Sequence, residues 1–130
     1  MKYFFYLIIA MLAVVTTSAK GDDILQFEEK NYDFGAIKDD HEPIVHEFKF
    51  VNTSTEPVAV LSVSTGCGCT RPEYPVKPIE PKAEGTIKIT FLPKGQRGDI
   101  NKNITVRYRG ATAKSSKRIT LRLRGNVSPK

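Results

Sequence analysis

The sequence Ile44-Val45-His46-Glu47-Phe48-Lys49-Phe50-Val51-Asn52 decides the fold class of this chain. Its side chains alternate between two faces, one with Ile44, His46, Phe48 and Phe50 and the other with Val45, Glu47, Lys49 and Val51. A period of two is typical of a β-strand that is buried on one side. We therefore predict a strand over residues 44–52 whose Phe48 face packs on a core.

Similar runs occur on both sides of this strand. Upstream, we predict a short strand over 24–27 and a strand near a sheet edge over 31–37. Downstream, residues 58–65 form a further strand, with a β-bulge where the apolar register slips between Val60 and Val63. Three later strands have predicted inward faces: Ile87, Ile89 and Phe91; Ile104, Val106 and Tyr108; Ile119, Leu121 and Leu123. Six or seven short strands separated by turns predict an all-β sandwich.

Residues 71–81 interrupt this series of strands. They contain four prolines, at positions 72, 75, 78 and 81. Proline lacks the backbone donor that a helix interior or a central strand requires. We predict a stiff, extended crossing that links the two sheets at one end of the sandwich.

The N-terminal residues have the pattern of a secretory signal peptide. One lysine, Lys2, precedes an apolar run over 4–15, and small residues follow up to Ala19. The run is shorter than the roughly 20 residues of a membrane-spanning helix. We predict a signal peptide over 1–19 and a mature immunoglobulin-sized domain over 20–130, exported to the periplasm or the extracellular space, with no transmembrane segment.

Charge is distributed unevenly along the mature chain. Residues 20–92 carry 8 basic and 13 acidic side chains, whereas residues 93–130 carry 11 basic and 1 acidic. If the last two strands face inward as predicted, their outward positions hold five arginines: Arg107, Arg109, Arg118, Arg122 and Arg124. Because consecutive strands usually pair, these arginines should form one basic patch. The patch serves either solubility alone or binding to an anionic surface or partner. An exported protein is not expected to bind nucleic acid.

Both cysteines lie in the sequence Gly66-Cys67-Gly68-Cys69-Thr70. Cys67 and Cys69 could form a local disulfide, because Gly68 lets the backbone tighten between them. They could instead bind a soft metal such as Zn²⁺ or Cu(I), or remain buried thiols. The two structural uses, a bridge or buried thiols, are favoured over redox exchange and metal binding, and we predict no cofactor.

His46 is unusual because it lies on the apolar face of its predicted strand. Such a histidine is usually a core residue with a hydrogen bond to a carbonyl or a hydroxyl. The alternative is that it reaches Cys67 and Cys69 as a third metal ligand. The sequence contains no Gly-x-Ser-x-Gly turn, phosphate-binding glycine loop or His-Glu-x-x-His helix, so we predict that the protein is not an enzyme.

The residues around the cysteines resemble a known family. His46, Phe48, Phe50 and Asn52, the Cys-Gly-Cys-Thr signature over 67–70, and Pro75, Pro78 and Pro81 are similar to a bacterial secreted family catalogued as domain of unknown function 1573. The resemblance implies an immunoglobulin-like sandwich of about seven strands, similar to Hydin-type and major-sperm-protein-type domains, and it implies no activity. The chain departs from the family pattern at Lys82 and Ala83, where a Pro-Gly-Glu turn is usual, and at Thr55, where glycine is common.

Two functions follow from these observations. The first is a secreted, non-enzymatic binding or assembly module of the cell envelope, whose partner is an envelope protein or an anionic surface. The second is a thiol-redox or soft-metal protein that acts through Cys67 and Cys69, assisted by His46.

Overall fold

The computed structural model describes residues 24–130, in which all of the regular structure is β-strand. The predicted signal peptide lies outside the described residues. The eight strands are β1 (Leu25–Phe27), β2 (Asn31–Lys38), β3 (Ile44–Asn52), β4 (Val58–Ser64), β5 (Thr70–Glu73), β6 (Glu84–Phe91), β7 (Gly98–Gly110) and β8 (Lys117–Ser128). From residue 24 onward there is no helix long and apolar enough to cross a bilayer.

The strands form two four-stranded sheets that pack face to face. One sheet has the order β1-β3-β6-β5 and the other has the order β2-β8-β7-β4. Neighbouring strands are antiparallel, except that β2 runs parallel to β8. The first and last long strands of the described chain therefore pair with each other.

The predicted inward faces are confirmed by burial. Phe48 and Phe50 of β3 are almost fully buried, and so are the predicted inward side chains of β6, β7 and β8. On β7 and β8, the five arginines alternate with these buried side chains, and all five are exposed. Alternation along each strand, with one face on the core, accounts for this arrangement.

Two local predictions for the second sheet are also confirmed. The pairing of β4 with β7 shifts register between Val60 and Ser62, where the sequence predicts a β-bulge. Strand β2 lies at the edge of its sheet, next to β8 alone. A second register shift in β2, between Asp33 and Ala36, includes Gly35, whose φ is 81°.

The prediction for the proline-rich segment is wrong in part. The chain passes from one sheet to the other through residues 65–69, before the prolines. Residues 70–73 form β5, which contains Pro72 and is the eighth strand where about seven were predicted. Proline is tolerated there because β5 is an edge strand, paired with β6 alone. The segment then meets β4 through a pair of backbone hydrogen bonds between Val58 and Ile79, and returns to its own sheet at β6.

Asn52 holds the turn regions together at one end of the sandwich. Its side chain is fully buried, and Nδ2 donates to the carbonyl oxygens of Glu56 and Ile79, each at 2.9 Å. Its Oδ1 accepts hydrogen bonds from the backbone nitrogen and the hydroxyl of Ser54. One side chain thus connects the β3–β4 turn to the chain that follows β5.

Candidate functional site

The outward surface of the β2-β8-β7-β4 sheet carries the five predicted arginines on two adjacent strands. We call it the arginine face, defined by Arg107, Arg109, Arg118, Arg122 and Arg124. In the antiparallel register of β7 and β8, Arg107 lies directly opposite Arg118. Side chains in such a pair have Cβ atoms about 4.5–5.5 Å apart. The structure therefore brings the predicted patch together on one face.

Between the arginines, the outward positions of β7 and β8 are polar and uncharged over most of their length. Asn103 lies opposite Arg122, and Thr105 lies opposite Thr120. None of the five guanidinium groups has an ion pair or a hydrogen bond with any residue in 24–130. Their charge is therefore available to a partner.

The outward surface of the other sheet differs in its charge balance. It carries three basic and three acidic side chains: Lys49, Arg71, Lys88, Glu47, Glu73 and Glu84. Lys88 lies between Glu47 and Glu73 in the register of β3, β6 and β5, and its Nζ is 3.5 Å from a Glu73 carboxylate oxygen. Opposite charges are thus interleaved on this surface, whereas on the arginine face the carboxylates of Asp33 and Asp99 lie only at the end near Arg124.

A hollow of about 480 Å³ lies at the end of the arginine face near Arg124. In one row across the sheet, Asn101 and Asp33 flank Arg124 on β7 and β2. In the next row, Asp99 lies opposite Asn126, which donates a hydrogen bond to Asp99 Oδ1 at 2.9 Å. Of these residues, only Arg124 was predicted from the sequence. The alternation along the predicted strand could have indicated Asp99 and Asn101, because it places both on the same outward side as Arg107.

The cysteine loop, residues 65–69, joins β4 to β5. Cys67 and Cys69 form a disulfide with a Cα–Cα distance of 5.3 Å, which selects one of the alternatives that the sequence left open. Cys69 is buried, whereas Cys67 is half-buried and Gly68 is exposed. The Cys67 carbonyl oxygen also accepts hydrogen bonds from the hydroxyls of Thr65 and Thr70 and from the Thr70 backbone nitrogen. The loop is therefore held by its backbone as well as by the disulfide.

His46 lies elsewhere in the sandwich. Its ring stacks on Tyr32 with a centroid distance of 3.7 Å, and its Nε2 is 2.5 Å from Glu29 Oε1. The structure does not bring it to the cysteines, because β6 lies between its strand and β5. The partner of His46 is thus a carboxylate, where a carbonyl or a hydroxyl was expected. Within residues 24–130, no group of three or more His, Cys, Asp or Glu side chains is placed to hold a metal ion.

Comparison of the sequence with known families gives one match of wide extent. The profile of a family described as "Protein of unknown function (DUF1573)" matches residues 25–127. The chain belongs to this family. Comparison of this DUF1573 protein with curated proteins finds no match.

Solved structures similar to this DUF1573 protein share its fold. A PapD-like domain of human CEP192 has a TM-score of 0.63 at 18% identity, covering 82% of this chain and 87% of that domain. The Caenorhabditis elegans MSP family member WR4 has a TM-score of 0.55 at 12% identity, covering 82% of this chain and 99% of that one. The predicted immunoglobulin-like sandwich is confirmed by these two neighbours.

A larger protein also contains this fold. The VesB protease of Vibrio cholerae has a TM-score of 0.65 at 10% identity over 80% of this DUF1573 chain. The chain spans about a third of that protease, 32% of its length. The likeness shows a shared sandwich fold and carries no activity to this chain.

Proposed function

We propose that this protein is an exported, non-enzymatic binding or assembly module of the cell envelope, periplasmic or extracellular, that binds an anionic partner through the arginine face. Export rests on the N-terminal sequence pattern. A module without catalysis is proposed because the sequence lacks the motifs of the common enzyme classes. The intact mass of the protein recovered from an expressing bacterium should correspond to a chain from which roughly residues 1–19 have been cleaved. A mass that includes residues 1–19 contradicts export by signal cleavage.

The observation that carries this proposal is the contrast between the two outward surfaces. A surface that serves solubility alone is expected to mix its charges, as the β1-β3-β6-β5 sheet does with Lys88 between Glu47 and Glu73. The arginine face instead places Arg107 opposite Arg118 with no carboxylate between them. Like charges directly opposite each other destabilise a sheet. An arrangement that costs stability and leaves the five guanidinium groups without an ion pair within residues 24–130 favours a role in binding carboxylate or phosphate.

Retention on immobilised polyglutamate tests the proposal, with a triple variant of the face compared with a triple variant elsewhere. The face variant is Arg107→Gln/Arg118→Gln/Arg122→Gln. The control variant, Lys49→Gln/Lys77→Gln/Lys94→Gln, removes the same charge from exposed lysines outside the face.

We expect the wild type and the control to be retained at low salt and released at about 0.5 M salt, where charges are screened within a few ångströms. The face variant should elute at much lower salt. If both variants elute together, binding follows net charge alone and the arginine face is not the binding surface.

A second candidate function is thiol-redox exchange, which the half-buried Cys67 and the exposed Gly68 favour. A thiolate of a partner dithiol would attack Cys67 Sγ, break the Cys67–Cys69 bond and form a mixed disulfide, with Cys69 leaving as a thiolate. The second partner thiol would then attack the partner's own sulfur and release Cys67 as a thiolate. The partner is thereby oxidised and the loop reduced. Soft-metal binding would require this reduced form and a ligand from outside residues 24–130.

Intact mass after alkylation, with and without prior reduction, separates these two functions. Protein taken directly from its compartment should show no alkylated cysteine if the bridge is structural. A mixed population of bridged and alkylated protein, which shifts with the added ratio of dithiol to disulfide, would favour redox exchange. Stoichiometric zinc or copper on the reduced protein would favour the metal alternative.

A further inference from the structure

The hollow beside Arg124 could bind one unit of a partner of the arginine face. We infer that the partner of this face is an anionic polysaccharide, and that the hollow seats one of its acidic sugar units. This inference rests on the proposed function, because it names the partner of the same surface. The volume of the hollow, about 480 Å³, is within the range of about 300–1,000 Å³ that is common for small-ligand pockets.

The hollow is lined by one guanidinium, two carboxylates and two amides, which correspond to the single acidic group and the several hydroxyls of an acidic sugar. Arg124 and Asn101 are exposed, and neither side chain has a hydrogen-bond partner among the described residues. A guanidinium pairs well with a sugar carboxylate, and an amide donates to and accepts from hydroxyls. The carboxylates of Asp33 and Asp99 each have one oxygen that accepts an internal hydrogen bond, which leaves the second oxygen for a sugar hydroxyl.

The bulge in β2 builds one wall of this hollow. Gly35 has a φ of 81°, which favours glycine, and its backbone nitrogen donates to Asp33 Oδ1 at 2.8 Å. Apart from its two chain neighbours, no residue described by the structure has an atom within 4 Å of where a Cβ on Gly35 would stand. A bulge bends a strand and redirects its side chains. The bulge therefore both positions Asp33 and leaves open space beside it.

A polysaccharide fits this face better than a lipid bilayer or an acidic protein does. Interfaces between proteins are enriched in aromatic side chains, Met and Arg, and membrane-bound surfaces insert apolar ones. Apart from its arginines, the face offers none of these on β7 or β8, where its outward positions are Arg, Asn, Thr and Asp, and the exposed Leu61 lies at its β4 edge near Arg109. Arginines alternating with amides and hydroxyls over several residues of strand suit an extended chain that carries both acidic groups and hydroxyls.

Binding of trigalacturonic acid, measured by titration calorimetry, tests the inference. Arg124→Gln should weaken binding about tenfold, since it removes a charge-assisted hydrogen bond. Asn101→Ala changes no charge and should weaken binding about threefold or more. Arg118→Gln is the matched control, because it removes the same charge from the same face outside the hollow, and it should cost less than Arg124→Gln. Neutral maltotriose should not bind.

Polyglutamate and vesicles that contain phosphatidylglycerol separate the possible outcomes. On polyglutamate, we expect Arg124→Gln and Arg118→Gln to weaken binding equally and Asn101→Ala to have no effect. The inference is overturned if Asn101→Ala leaves trigalacturonic acid binding unchanged, if Arg118→Gln costs as much as Arg124→Gln, or if the vesicles bind more tightly than the sugar. The proposed function survives those three results when the face still binds an anionic probe. If no anionic probe binds, the proposed function fails as well.

Discussion

Asn52 is a buried polar residue on which two turn regions depend. Replacing it by alanine removes one of the two donors to each of the Glu56 and Ile79 carbonyl oxygens, which keep the Ser54 hydroxyl and the Val58 nitrogen respectively. It also leaves the Ser54 backbone nitrogen without its acceptor, Asn52 Oδ1. A buried polar group that loses its partner costs about 1–3 kcal/mol. We expect Asn52→Ala to lower the free energy of unfolding by about 2–4 kcal/mol, measured by denaturant unfolding.

Thr53→Ala is the control for this experiment. The Thr53 hydroxyl donates one exposed hydrogen bond to the Ile24 carbonyl oxygen, so its loss should cost less than about 1 kcal/mol. If both variants have the same stability, the Asn52 network contributes little beyond an ordinary surface hydrogen bond.

Gly85 is required because Phe50 lies against it. A Cβ added there would be within 3.0 Å of three ring atoms of Phe50, which is itself almost fully buried. We expect Gly85→Ala to destabilise the fold by about 1–3 kcal/mol, as overpacking does in other cores. Thermal unfolding of Gly85→Ala and of Gly68→Ala should differ clearly, because nothing lies within 4 Å of the corresponding position at Gly68. Equal melting temperatures would show that Phe50 can move aside without cost.

The sequence predicts the positions of these residues better than their contacts. Asn52 has the inward phase of Phe48 and Phe50, so its burial follows from the period of two. Its hydrogen-bond partner Ile79 is 27 residues away, and no local pattern reports that distance. The same limit applies to His46, whose carboxylate partner Glu29 lies 17 residues upstream.

At the scale of single elements, the pairing of β7 with β8 has an internal cost. Arg107 and Arg118 are opposite each other, so Arg118→Glu should replace a repulsion with an attraction. We expect this variant to be more stable by about 0.2–1 kcal/mol and to bind anionic probes less well. Denaturant unfolding at low salt measures the first effect, and retention on polyglutamate measures the second.

The equivalent change on the other sheet should act in the opposite direction. Lys88→Glu places a third carboxylate between Glu47 and Glu73 and should destabilise the fold by a similar amount, about 0.2–1 kcal/mol. If Arg118→Glu is also destabilising, the arginine pair does not repel appreciably, and the stability argument for a binding role is lost.

The disulfide of the cysteine loop should contribute little to stability. A bridge between residues two apart closes a very short loop, for which chain entropy predicts about 1.6 kcal/mol. The hydrogen bonds that the Cys67 carbonyl oxygen accepts from Thr65 and Thr70 remain after reduction. We expect reduced protein to stay folded by circular dichroism, with a small decrease in its unfolding midpoint. A Cys67→Ser/Cys69→Ser variant, the control, should not respond to reductant, and unfolding of the wild type on reduction would contradict this prediction.

The sequence predicted seven of the eight strands but not every connection between them. Periodicity identifies a strand because it depends on near neighbours along the chain. Strand β5 has only four residues and contains Pro72, so it shows no such pattern. It exists because β6 offers an open edge. Likewise, the parallel pairing of β2 with β8 joins segments about 90 residues apart, which no local signal encodes.

At the scale of the whole molecule, the two outward surfaces divide the charge of the described chain. The surface of the β1-β3-β6-β5 sheet is balanced, and the arginine face holds five of the eleven basic side chains of residues 93–130. The sequence predicted the arginine face from the phase of its strands. It did not predict the hollow, which requires β2 to lie beside β8. Recognition of a partner should therefore be directional, with one surface of the sandwich bound and the other exposed.

The parallel pairing of β2 with β8 also determines how the fold responds to mechanical force. The pairs run from Asn31 with Arg122 to Lys38 with Ser128. Tension applied between residues 31 and 128 pulls the start of β2 and the end of β8 apart along the strand direction, so the interstrand hydrogen bonds are loaded together in shear. Tension between residues 98 and 128 instead separates β7 from β8 one pair at a time, because Gly98 and Val127 are opposite each other. Single-molecule pulling should need a higher rupture force along the first direction, and a module anchored at both ends would hold its shape under load.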